Sequence, residues 1–115
     1  GTLEYDRENH LLAFKEKGLP AIGVDVDQYN TYPEVKDALA TSAQKNVDTA
    51  VYLFLKSVSD GSVKAGILTA NLKNGGIGLA PYHDWDAKVP ADVKAKVKEA
   101  TDALISGKLT TGYKP

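Results

Sequence analysis

Two carboxylates one residue apart, Asp25-Val26-Asp27, follow the apolar run Ala21-Ile22-Gly23-Val24 and are the polar feature richest in chemistry. In an extended strand alternate side chains share one side of the backbone, so the pair could bind sugar hydroxyls, hold a hard cation or do acid–base work. The same residues could instead cap the following turn through Asx hydrogen bonds. Lys45 stands between an expected strand and an expected helix N-terminus, where the helix dipole disfavours a cation unless an anion compensates it. The other reading of Lys45 is an ordinary solvated lysine. Asn74-Gly75-Gly76-Ile77-Gly78 has neither the G-x-G-x-x-G spacing nor the Lys-Ser/Thr of a P-loop, so it reads as a turn and not a phosphate cradle. His83-Asp84-Trp85-Asp86 gathers three potential metal ligands in four residues, with His10 the other histidine, but it fits no zinc or EF-hand spacing. No metal site and no cofactor is expected. Ser42, Ser57, Ser59, Ser62 and Ser106 lie in no nucleophile-elbow context, so no catalytic residue is assigned and the chain is not read as an enzyme.

The elements that must position these residues alternate in type, which is the α/β signature. Glu8 to Lys17 reads as a helix with Leu11, Leu12, Ala13 and Phe14 on its apolar face, stopped by Gly18 and Pro20. Ala21 to Asp25 reads as a short buried strand whose carboxyl end carries the acids, and in open α/β sheets ligands gather at such ends. Gln28 to Pro33 reads as loop, Leu39 to Ala43 as a second strand with Lys45 just past its end. Val47, Val51, Phe54, Leu55 and Val58 recur at helical spacing up to Asp60-Gly61. Val63 to Leu79 reads as two strands joined at Asn74-Gly75, the dipeptide favoured in type I′ hairpins. A last helix begins near Pro90, carries Val93, Val97, Ala100 and Leu104 on one face, and closes at Gly107.

Composition narrows the function classes. The chain has 115 residues, enough for one domain or a piece of a larger one. With 14 Lys+Arg against 15 Asp+Glu, and Arg7 as its single arginine, it lacks the clustered basic excess of a nucleic-acid binder. The absence of cysteine excludes disulfides, thiolate nucleophiles and Cys-ligated zinc. No apolar run approaches the ~20 residues needed to span a bilayer, and Gly1-Thr-Leu-Glu-Tyr-Asp-Arg-Glu does not read as a signal peptide.

Three segments together resemble the basic membrane protein (BMP) family of bacterial ABC-transporter substrate-binding lipoproteins, which includes purine-nucleoside receptors. They are Ala21-Ile-Gly-Val-Asp-Val-Asp-Gln28, Ala40-Thr-Ser-Ala-Gln-Lys-Asn-Val-Asp-Thr-Ala-Val-Tyr52 and Leu72-Lys-Asn-Gly-Gly-Ile-Gly-Leu-Ala-Pro-Tyr82, in matching order over about Leu11 to Pro115. The resemblance implies a partial type I periplasmic-binding-protein fold, with helices packed on a mainly parallel sheet and the hairpin near residues 63–79. It implies that residues 1–115 are the C-terminal fragment of a two-lobed receptor, comprising part of the second lobe plus hinge-region elements. The full receptor would be extracytoplasmic, in the periplasm or at the cell surface, and held to the membrane only through an N-terminal lipid anchor that this chain lacks. Its partners would be a nucleoside-like solute, closed between two lobes, and an ABC permease.

By the same resemblance Asp25 bonds the ribose hydroxyls and Lys45 faces the ligand. This suits a carboxylate that accepts from two vicinal hydroxyls and a lysine that offsets its charge. Gly23 would keep the strand slim beside the site, while Asp27 and Gln28 shape the following loop. Asn46 departs from the arginine of many relatives, and Gly1 to His10 from their glycine-rich segment. Two other classes stand beside this one. A small hydrolase could use Asp25 and Asp27 as paired carboxylates, and a non-catalytic interaction module could associate through exposed apolar surface, the fragment being expected to dimerise or to stay with the rest of the receptor.

Overall fold

In the computed structural model residues 2–113 are described, with side chains from residue 8 onward. The chain divides into two units and passes between them three times: residues up to Lys45 join Leu79–Val89, and Asn46–Gly78 join residues from Pro90 onward.

The first unit begins with helix α1, Thr2–Glu16, which starts earlier than the apolar spacing alone predicts. It ends as expected at Gly18. The Gly18 amide donates to Lys15 O at 3.0 Å and the Leu19 amide to Phe14 O at 2.9 Å, a Schellman closure that requires the left-handed φ of 66° found at Gly18. Strand β1, Ala21–Asp25, follows, then a one-turn helix α2, Gln28–Thr31, a 3-10 turn at Pro33–Val35, and strand β2, Leu39–Lys45. Two expectations change here. Gln28 to Pro33 is not loop, because Asp27 caps α2 by accepting the Tyr29 amide at 3.3 Å. Lys45 is the last residue of β2 and not the residue beyond it.

The sheet has the order β1-β2-β3, with β3 at Ile77–Leu79. β1 and β2 run parallel and place Asp25 opposite Gln44. The α/β class and the mainly parallel pairing are therefore as the sequence indicates. Leu11, Ala21, Val35 and Leu39 form the core of this unit, with Leu12, Tyr29 and Tyr32 packed against it. Thr41 and Ser42 are buried too, and Thr41 satisfies its hydroxyl on Ala80 O at 2.6 Å.

The second unit contains helix α3, Val47–Ser59, and helix α4, Ala91–Ser106. Both match the periodicity, and Gly107 closes α4 at φ 77°. The predicted face of α3 forms but is not buried: Val47, Val51, Phe54, Leu55 and Val58 are each half exposed or more.

The hairpin expected over residues 63–79 does not form; within that stretch only β3 is a strand. Asn74-Gly75 does turn the chain, but the turn satisfies itself. Asn71 and Asn74 exchange side-chain acceptors and backbone amides at 2.9 and 3.0 Å, and the side-chain Nδ2 of Asn74 donates to Thr69 O at 2.8 Å. Those Asx bonds take up groups that a ladder would need.

Asp60 ends α3 and accepts from the Ser62 hydroxyl at 2.5 Å and the Ser62 amide at 3.0 Å. These bonds, the hydroxyl first, hold the Asp60 carboxyl below its ordinary value. A lowered folded pKa contributes stability that is present above the unfolded value and is lost as pH falls through the folded one. Ser62→Ala should therefore move the Asp60 midpoint upward in a carboxyl NMR titration, and an unmoved midpoint would refute the assignment.

Candidate functional site

Asp25 and Lys45 meet at the carboxyl ends of two adjacent parallel strands, where β1 and β2 both stop. Lys45 Nζ lies 3.0 Å from Asp25 Oδ1, with the lysine side chain 64 % and the aspartate 39 % exposed. The cation beside an expected helix start thus has its compensating anion.

The backbone at Asp25 is unusual, since its φ is +78° although it is not glycine. The Val26 amide donates to Val24 O at 3.0 Å, so Asp25 is the centre of a three-residue γ-turn of the rare positive-φ kind. A non-glycine residue held there costs of order 1–3 kcal/mol. An exposed ion pair such as Asp25–Lys45 returns about 0–1 kcal/mol. The pair is therefore too weak to hold the turn, and the geometry is imposed from elsewhere.

The turn also separates the two acids. Because the strand ends at Asp25, Asp27 does not continue the alternation that would pair the carboxylates, and each is bound to different partners. Asp27 accepts from the Tyr29 amide, from Asn30 Nδ2 at 3.0 Å, and shares a 2.7 Å contact with His83 Nε2. It is the capping acid of the two. His83, itself at φ 47°, stacks on the Tyr29 ring with centroids 4.1 Å apart and planes 13° from parallel. The Tyr29 hydroxyl donates to Asp84 Oδ2 at 3.1 Å. That bond, then burial and the negative charges of Asp84, Asp27 and Asp37, push the Tyr29 phenol above its ordinary value. His83 and Asp84 thus point to separate partners, and among the described residues no cluster of three acidic or histidine side chains is placed to hold a metal ion. Trp85 is engaged structurally, donating from its indole to Asp37 O at 2.8 Å.

Gly23 and Gln28 lie next to the turn. A Cβ on Gly23 would stand 2.4 Å from Ser42 Oγ and 2.8 Å from Gln28 Oε1, so the missing side chain makes room for these two groups. Gln28 accepts the Val24 amide on Oε1 at 2.8 Å, and its backbone N–H donates to Ser42 Oγ at 3.2 Å. Sequence reasoning passed over Ser42 because it looked only for a nucleophile; a small polar residue level with a strand glycine was the available signal. The His83–Asp27 contact spans 56 positions of sequence and carried no local signal. A recess of about 370 Å³ lies along α1 and β1, lined by His10, Phe14, Ile22, Val24 and Gln28 among others, and neither Asp25 nor Lys45 lines it.

No known family profile matches the chain. Over 66 residues, 57 % of the chain, it is 41 % identical to uncharacterized lipoproteins of Pyrococcus abyssi and Pyrococcus horikoshii. It spans about 15 % of their length. Its fold is similar to a transcriptional activator of the comK gene from Bacillus halodurans, with TM-score 0.72 and 24 % identity over 88 % of this chain and 34 % of that one. It is also similar to an ABC transporter system solute-binding protein from Aeropyrum pernix K1, with TM-score 0.62 and 24 % identity over 83 % and 34 %. No described helix is long and apolar enough to cross a membrane. The chain therefore has an α/β fold like that of a solute-binding protein, and its sequence relatives are lipoproteins.

Proposed function

We propose that this chain is the C-terminal part of a lipoprotein receptor of the basic membrane protein type. That receptor recognises a nucleoside-like solute for an ABC importer and binds it without chemical turnover. The observation that carries the reading is the Asp25–Lys45 pair at 3.0 Å on the carboxyl ends of β1 and β2, half open to solvent and held in a strained turn. Strain at a polar, accessible position is a mark of a functional site. Solvation leaves both groups able to exchange their mutual contact for a ligand's hydroxyls, the aspartate accepting from a vicinal diol and the lysine donating to an oxygen. The likeness to a solute-binding fold and the lipoprotein relatives support the class. The rest of the receptor would supply the groups that choose the base.

Separation of Asp25 from Asp27 weighs against the carboxylate-dependent hydrolase, because a two-acid mechanism needs both carboxylates to flank one bond. Calorimetric titration of the complete encoded protein with adenosine, guanosine, inosine, uridine and cytidine tests the proposal. Binding of at least one ribonucleoside, with weaker binding of its 2′-deoxy counterpart, is the expected result. No heat with any of them would end the nucleoside reading, and release of free base during the titration would end the claim of no turnover.

A further inference from the structure

The strained turn at Asp25 is too costly for its ion pair to hold, and β2 braces β1 on one side only, because β1 is an edge of the sheet. The Ala21 amide donates to Ala38 O at 2.7 Å, the register on β2 shifts between Ala21 and Ile22, and beyond that shift the backbone groups of Val24 bond away from β2. At Val24 both outward groups are nevertheless satisfied. The carbonyl takes the Val26 amide across the γ-turn, and the amide is taken by the side-chain carbonyl of Gln28. The Gln28 backbone is anchored on the other side, since its main-chain N–H donates to the buried Ser42 hydroxyl. Gly23 leaves the space in which these groups meet.

We propose that Gln28 is the positioning residue of the site: by capping the outward Val24 amide it closes the edge of β1 one residue before Asp25 and holds the chain in the turn that brings the Asp25 carboxylate to Lys45. This assignment rests on the reading of Asp25 and Lys45 as ligand-binding residues, and it adds a cause for their geometry. With the carbonyl gone, the Val24 amide is left to solvent, and at the edge only the Val26–Val24 bond still opposes relaxation of Asp25 to an extended φ. The aspartate then stays in the protein but no longer points where a diol would be held. Gln28 itself need not touch the ligand.

The test compares Gln28→Met, which keeps length and loses the carbonyl, with Gln28→Glu, which keeps an oxygen acceptor at the same reach, both made in the complete encoded protein. Hydrogen exchange at the Val24 amide and the Asp25 three-bond amide–Hα coupling, read by NMR without ligand, report the brace and the turn. Calorimetry with adenosine, guanosine and uridine and their 2′-deoxy counterparts reports the site. In Gln28→Met, Val24 exchange should rise about tenfold or more, the Asp25 coupling should move toward an extended value, and the preference for ribo- over deoxyribonucleoside should fall about tenfold. Gln28→Glu should restore Val24 protection and the Asp25 coupling. A purely structural residue would instead lower the melting temperature and leave the ribo/deoxy ratio intact, and that result overturns the proposal. Unchanged Val24 exchange and Asp25 coupling in Gln28→Met overturns it as well. If the unaltered protein binds none of the six nucleosides, the ligand reading fails, and the ligand-free NMR comparison still decides whether Gln28 holds the turn.

Discussion

Leu39→Ala should destabilise the protein by about 2–5 kcal/mol, the usual range for truncating a fully buried leucine. Leu39 is 2 % exposed and shares its core with Leu11, Ala21 and Val35, the last of which is 0 % exposed. So small a cluster has few neighbours able to collapse into the space left by three carbons. Phe54→Ala on α3 removes a larger side chain, but Phe54 is 50 % exposed and α3 contains no buried residue. Its expected cost is no more than about 1 kcal/mol, in line with surface substitutions. Urea unfolding of the two variants beside the unaltered chain, compared at equal slope, separates these values. Equal losses would mean that the face of α3 is covered in solution.

The second large effect falls on binding and not on stability. Asp25→Gly removes the carboxylate, and a hydrogen bond to a charged group contributes about 1.5–3 kcal/mol, so under the proposed function ribonucleoside affinity should fall roughly ten- to hundredfold. Stability should move the other way or hardly at all. Glycine adopts the φ of +78° without the strain that aspartate bears there, and the exposed bond to Lys45 is worth little. The expected signature is an unfolding free energy within about 1 kcal/mol of the unaltered protein, or above it, together with weakened binding. A loss of several kcal/mol would show that the turn is not strained. Unchanged ribonucleoside affinity would remove Asp25 from the site.

Much of the architecture was legible from local chemistry. Gly18 and Gly107 stop helices because the backbone there must turn left-handed, and the spacing of Val47, Val51, Phe54, Leu55 and Val58 does produce α3. Spacing reports which residues share a face; what covers that face is a tertiary fact, and α3 shows the difference. Asn74-Gly75 announced a turn, yet whether strands flank a turn depends on partners for them, and here Asn71 and Asn74 bound the backbone first. Asp25 and Lys45 were singled out from type and position, and the parallel register explains why two residues 20 apart in sequence end side by side.

What could not be read was the γ-turn. Val24-Asp25-Val26 contains no glycine and looks like continuing strand, although aspartate is among the few residues that tolerate positive φ. That single dihedral sends Asp27 to cap α2 and to meet His83, and it turns a supposed pair of acids into two residues with different duties.

The burial of Thr41 has a consequence in time. Its hydroxyl reaches an acceptor only at Ala80, 39 residues later, and the Ala80 amide closes on Ser42 O at 2.8 Å. At synthesis rates of about 5–20 residues per second, β2 leaves the ribosome some 2–8 seconds before the residue that completes it. For that interval the Thr41 hydroxyl and the Ser42 carbonyl have water as their partner, while the whole of α3 is made. A nascent chain stopped just before Ala80 should therefore leave the Thr41 hydroxyl open to water, and one extended past Ala80 should bury it.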